Sequence, residues 1–124
     1  MGRRAEISTS AIDLAALTSE VSGRTHGAVT SFVGQVRDHD PEAAGEVLSL
    51  DYSAHPDASR IIAEVVERAA SQADPDGLVD VVAVHRLGHL DVGDLALVVV
   101  AASPHRAPTF EVCRAVVEAV KHEV

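Results

Sequence analysis

Three short stretches of this chain carry residue types and spacings suited to holding an anion. The first is Gly34-Gln35-Val36-Arg37-Asp38-His39, where an apolar stretch runs out into a polar one. Arg37 can present a planar guanidinium fork to a phosphate or carboxylate. A solvated loop with a surface Arg–Asp pair accounts for the same residues. The second is Ser103-Pro104-His105-Arg106, between the most apolar run and a helical pattern. Helix N-termini expose free N–H groups and the positive end of the helix dipole, so anions collect there. His105 and Arg106 add positive charge to that field; a plain capping turn is the alternative. The third is Arg114 and Lys121, seven residues apart and therefore on nearly one face of a helix.

Lys121 is the only lysine among ten basic residues. An arginine is almost always charged, whereas a lysine can serve as a base or nucleophile when burial or neighbouring positive charge lowers its pKa from about 10.4. Lys121 lies at the border of the apolar stripe Phe110, Cys113, Val117, Val120, Val124. Ordinary snorkelling, with the stem packed and the ammonium in water, explains that position equally well.

Other chemistries have less support. His85 and His89 are four apart, but their stretch reads as strand and turn, and no HExxH is present, so no metal site is expected. Cys113, on an apolar helix face, reads as core. No GxSxG elbow, GxGxxG or P-loop occurs. One cysteine can form neither an internal disulfide nor a cysteine metal cage, which fits a reducing cytoplasm. A net charge of −9 argues against general nucleic-acid binding. No stretch approaches the ~20 apolar residues that span a bilayer, and MGRRAEIS has no apolar signal region.

The elements that must position these residues follow from periodicity. With 124 residues, one domain is expected. Aromatics are only 2% of the chain, so the core must be Val, Ala, Leu and Ile, with Phe32, Phe110 and Tyr52 as isolated large pieces. Residues 4–8 suit a short strand. Residues 13–21 have helical spacing, with Ser10 as N-cap and Gly23 as the stop. Residues 28–36 read as a strand in which Gly34 marks a bulge or close backbone approach. Residues 37–46 are a polar loop, 47–53 a half-buried strand, and 57–73 an amphipathic helix. ADPDG is a turn and 78–87 a strand. GHLDVGD, residues 88–94, reads as a tight connection. Residues 95–102 are apolar enough to be buried on both faces, and a last helix covers about 108–123. This order predicts an α+β fold: a mixed or antiparallel sheet with helices packed on one side, a ferredoxin-like variant being one layout.

The same segments carry a resemblance. GAVTSFVGQVRDHD (27–40), LDYSAHPDASRIIAEV (50–65), VVAVHRLGHLDVGD (81–94) and VVVAASPHRAPTFEVCRAVVEAVKHEV (98–124) resemble, in order, the catalytic, large subunit of molybdopterin synthase, the MoaE family. The patterns F-V-G-Q-V-R, H-R-x-G-x-L-x-x-G-D and P-H-R-x-x-x-F are specific in combination. The resemblance implies an α/β hammerhead-type domain that forms a homodimer within a heterotetramer. Its partner is a small ubiquitin-like sulfur carrier whose Gly-Gly C-terminus bears a thiocarboxylate. Sulfur passes to cyclic pyranopterin monophosphate, giving the dithiolene of molybdopterin, with no metal or organic cofactor. Carried over by motif, Arg37 is a substrate-contacting arginine with Gln35 and Val36 beside it. His105 and Arg106 match a pair at the pterin phosphate, and Lys121 matches the first of two active-site lysines. Arg114 and His39 are supporting candidates. The family's second lysine, on a Pro-aromatic-Trp-Lys-type segment, has no counterpart before Val124, and the expectation is a chain cut short there. A non-catalytic dimeric module that holds the small subunit is the alternative, and an unrelated ligand sensor a more distant one.

Overall fold

A computed structural model describes residues 2–37, 49–52 and 56–124. The elements are β1 (Arg3–Ser8), α1 (Leu14–Val21), β2 (Ala28–Gln35), β3 (Ser49–Tyr52), α2 (Ala58–Ala73), β4 (Asp80–Arg86), β5 (Gly88–Asp91), β6 (Leu95–Ser103) and α3 (Arg106–Glu123). Four strands form a mixed sheet in the order β1-β4-β6-β2, and β3 pairs with β5 in a separate antiparallel ribbon. The β1–β4 pair is parallel, while β4–β6 and β6–β2 are antiparallel. The α+β class and the mixed sheet agree with expectation; the parallel pair sets the layout apart from an all-antiparallel ferredoxin-like sheet.

The period-2 alternation of β4 and β6 distributes the core over both sheet faces. Val81 and Ala83, with Leu97, Val99 and Ala101, face a cluster built with Ile62, Val65 and Val66 of α2 and Val112, Val116 and Val120 of α3. Val82, Val84, Val98, Val100 and Ala102 face the other way, onto Leu17 and Val21 of α1. The expectation of helices on one side is therefore corrected. Because β6 is apolar at every position from 95 to 102, each of its faces demands a cover, and α1 supplies the second one.

Three smaller expectations are also corrected. Asp13, not Ser10, caps α1, its carboxylate accepting from the Ala16 N–H at 3.1 Å. Residues 88–91 are a strand, not just a connection: Leu90 is fully buried, and glycines at positive φ, Gly88 (99°) and Gly93 (92°), bend the chain at either side. Phe110 is 57% exposed and not part of the core stripe. The polar loop expected at 37–46 lies outside the described residues from position 38 onward, as do His39, the first two residues of the strand expected at 47–53 and the side chain of Tyr52.

Candidate active site

The C-terminal ends of β1, β2 and β4, the start of β6, the start of α2 and the last turns of α3 meet at one end of the sheet. They enclose a pocket of about 390 Å³ whose lining includes Gly34, Gln35, His85, Leu97, Lys121 and Glu123. Lys121 is exposed there, on the third-last residue of α3, while its helical neighbours Val117 and Val120 are buried. Its Nζ lies 6.0 Å from the centroid of the Phe32 ring, a cation–π separation. Glu123 is tied back by an ion pair to Arg68 of α2, which draws its carboxylate toward a partner other than Lys121.

Gly34 explains how Phe32 can lie there. A Cβ at position 34 would stand 3.3 Å from the Phe32 ring, so the absent side chain leaves room for it. The strand is irregular at the same point: Gly34 pairs with Leu97 and Gln35 with Leu95, leaving a bulge that re-aims the end of β2. Of the two expectations for Gly34, the bulge holds, whereas the close neighbour is the Phe32 ring and not a backbone segment. Val36 is buried, whereas Gln35 and Arg37 on either side of it are exposed.

His85 is the neighbour that spacing did not single out. It enters the pocket from β4, and burial together with the Lys121 charge holds its imidazole below the ordinary histidine range. Its neutral form is thus favoured beside the ammonium. The only prior signal was its place in the H-R-x-G-x-L-x-x-G-D pattern. His89 sits on a different strand, where its Nε2 is 3.1 Å from Asp91 Oδ1, and no cluster of three or more metal-ligating side chains occurs among the described residues.

His105 and Arg106 occupy the opposite end of the sheet. β6 carries the chain roughly 27 Å from Leu95 to Ser103 at 3.4 Å per residue. α3 then returns, so Arg106 and Lys121 stand about 22 Å apart along one helix at 1.5 Å per residue. The three basic stretches therefore do not converge within one copy of the chain. At this far end, Ser103 is buried and its hydroxyl is engaged within the turn, donating to His105 O at 2.6 Å and accepting from the His105 N–H at 3.3 Å. His105 is the N-cap of α3 and makes no side-chain capping bond, so it and Arg106 are exposed at a positive helix end. Thr109 donates to Arg106 O at 2.6 Å and accepts from Thr30 at 3.3 Å, fastening this first turn to β2. A Cβ on Gly27 would come within 2.8 Å of Pro104 O, so the start of β2 also abuts the turn.

Arg114 lies between the two ends, in a shallow cleft with Thr30, Phe32, Phe110 and Cys113. Phe32 separates it from the Lys121 pocket. Cys113 is buried, as expected, and burial pushes its thiol up to about 11.

A family model described as MoaE protein matches residues 7–123. The chain is 39% identical over 105 residues to the molybdopterin synthase catalytic subunit 1 of Mycobacterium tuberculosis, a match covering 84% of this chain and 68% of that protein. In fold it is similar to the crystal structure of molybdopterin synthase from Staphylococcus aureus, with a TM-score of 0.82 at 22% identity over 96% of this chain and 84% of that one. It is also similar to a chain in the complex of subunits 1 and 2 of molybdopterin-converting factor from Helicobacter pylori, with a TM-score of 0.72 at 23% identity over 92% and 75%. The family model spans nearly the whole chain, and β2 with Arg37 just beyond it, the His105-Arg106 turn and the Lys121 helix all fall within it: the chain belongs to the MoaE family, alongside molybdopterin synthase catalytic subunits.

Proposed function

We propose that this chain is a sulfurtransferase, the catalytic subunit of a molybdopterin synthase. It converts cyclic pyranopterin monophosphate to molybdopterin with sulfur from the thiocarboxylated C-terminus of a small ubiquitin-like subunit. The observation that carries the reading is the position of Lys121: the only lysine of the chain opens into a pocket large enough for an extended peptide end, beside Gln35 and His85. Its ammonium pairs with the thiocarboxylate; once the sulfur is bonded to the pterin and water adds to the acyl carbon, the ammonium offsets the charge on the acyl oxygen, and the carbon–sulfur bond then breaks to leave a carboxylate. The ammonium also shuttles a proton from the attacking water toward the departing sulfur. Arg37, just beyond Gln35 and Val36, contacts the pterin substrate, and His105 with Arg106 at the α3 N-terminus holds its phosphate. The reading needs no metal or organic cofactor, and the lone buried Cys113 accords with a reducing cytoplasm.

The split of about 22 Å between Arg106 and Lys121 is consistent with a homodimer in which each site takes residues from both copies. β2 is an edge strand, and Ala28–Gln35 contains no charged residue and no proline to discourage pairing. An antiparallel two-fold contact along it would set the first residues of one β2 against the last residues of the other. The His105-Arg106 turn of one copy then meets the Lys121 end of its mate.

The test mixes the chain with thiocarboxylated small subunit and the pterin precursor, and follows molybdopterin formation. Product with the native chain and none with Lys121→Ala, both variants still dimeric, is the expected result. Complex formation without product from the native chain would instead make it a binding module.

A further inference from the structure

The H-R-x-G-x-L-x-x-G-D stretch, residues 85–94, places His85 and Leu87 in the pocket, and its later residues have work elsewhere. Leu90 is fully buried, and Gly93 forms the turn between β5 and β6 at φ 92°. That turn is clasped to the end of β2. The Val36 N–H donates to Asp94 O at 3.0 Å, and Val36 O accepts from the Gly93 N–H at 2.8 Å. The Asp94 side chain closes the turn from inside, Oδ2 accepting the Asp91 N–H at 2.9 Å while the Asp94 N–H donates to Asp91 O at 3.0 Å.

Arg86 holds that carboxylate from the other side. Its Nη1 is 3.5 Å from Asp94 Oδ2, and its side chain is only 18% exposed against 37% for Asp94. The Arg86 Nε is buried with no hydrogen bond among the described residues, so the Asp94 contact is a principal polar attachment of this guanidinium. A half-buried arginine of this kind is screened far less than a surface one. It gives the turn a defined distance from β4, one of the sheet's two interior strands.

From these contacts we infer that Arg86 and Asp94 are positioning residues for Arg37. The chain of attachment runs from β4 through Arg86 to Asp94, from the turn to both backbone groups of Val36, and from Val36 to the next residue. Arg37 is exposed and needs an external fixture if its guanidinium is to meet an anion at a set place. The inference rests on the substrate-contacting role proposed for Arg37. A merely structural role for the pair predicts lower stability with unchanged substrate affinity.

The test is steady-state kinetics of the complete dimer with its small subunit, with precursor binding measured in parallel by calorimetry. Asp94→Asn keeps a carbonyl acceptor for the Asp91 N–H and removes the charge that holds Arg86. The expected result is a rise in KM and Kd for the precursor of roughly ten-fold with kcat within about two-fold, since geometry is loosened and the reacting groups are intact. Arg86→Gln, which removes the charge from the other partner, reproduces it. In an Arg37→Ala background Asp94→Asn adds nothing further, because the positioned group is gone. Unchanged affinity in Asp94→Asn, or effects that multiply with Arg37→Ala, overturns the inference. Native affinity in Arg37→Ala alone overturns the role of Arg37 itself, and the positioning claim with it.

Discussion

The two ends of the four-stranded sheet are built on different principles. At the Lys121 end, four strand termini and two helices close around a cavity, and its functional groups are side chains: an ammonium, an imidazole and a carboxamide. At the Arg106 end the described residues include no comparable enclosure around His105 and Arg106, which are both exposed. The positive field there comes from the helix terminus and the exposed Arg106, and the buried polar groups, Ser103 and Thr109, are spent on shaping the turn. One end is suited to receive something that enters, the other to present charge to something held against it.

The comparison breaks most sharply at Lys121. Lys121→Ala is expected to lower sulfur transfer by at least about a hundred-fold, the scale of losing a preorganised electrostatic contact in a transition state. A dimer that stays folded with near-normal turnover would remove this end from the chemistry. Arg106→Ala is expected to act mainly on precursor KM, by roughly ten- to a hundred-fold for a lost charge-assisted phosphate contact.

The two variants together ask whether the ends belong to one site. If each site draws Lys121 from one copy and Arg106 from the other, a dimer of Lys121→Ala with Arg106→Ala contains one intact site and one doubly damaged one. Equal mixing should then restore roughly a quarter of native activity. No recovery after verified subunit exchange would mean that the ends do not meet across the dimer.

A smaller effect is expected at Gly34→Ala. The new methyl, 3.3 Å from the Phe32 ring, must displace the ring beneath Lys121. Activity should fall several-fold, by about 1 kcal/mol for a disturbed cation–π contact, with the fold intact. A matched Arg114→Ala variant, on the far side of Phe32, should be near native, and a larger loss there would redraw the pocket's border.

The smallest effect concerns pH. The folded-state His85 is held below its unfolded value, so the unfolded chain binds more protons in the acid range. The contribution of the neutral imidazole is complete above the ordinary histidine pKa and is lost as pH falls through the lowered one. His85→Gln should flatten the acid limb of the stability curve measured by denaturant unfolding; an unchanged limb would show that His85 is not held neutral by its site.

Much of the architecture was legible before any tertiary structure. The unbroken apolar run at 95–102 required a doubly covered strand, and β6 is one, with α1 on one face and α2 and α3 on the other. What misled was order: helices between strands suggested one covered face, because sequence does not say on which side a crossover passes. β5 was hidden for a local reason. Its four residues, Gly88–Asp91, hold a single buried side chain, Leu90, between two glycine bends, which leaves no alternation to read. Phe110 looked like core because it continues the helical spacing of Cys113 and Val117, but it is exposed, lining the shallow cleft with Thr30 and Phe32 of β2.

For the site, the sequence by itself determined the cast: one lysine at the rim of an apolar helix face, an arginine where a strand ends, and a His-Arg pair at a helix start. Those are local properties, set by residue type and by 2.0- and 3.6-residue periods. Which of them share a place was decided only by tertiary structure. Strand direction and order put Lys121, Gln35 and His85 at one end of the sheet and His105 and Arg106 at the other, and brought Asp94 to the backbone of Val36, 58 residues earlier in the chain. Neighbourhood across strands depends on pairing between distant segments, and no spacing along the chain records it.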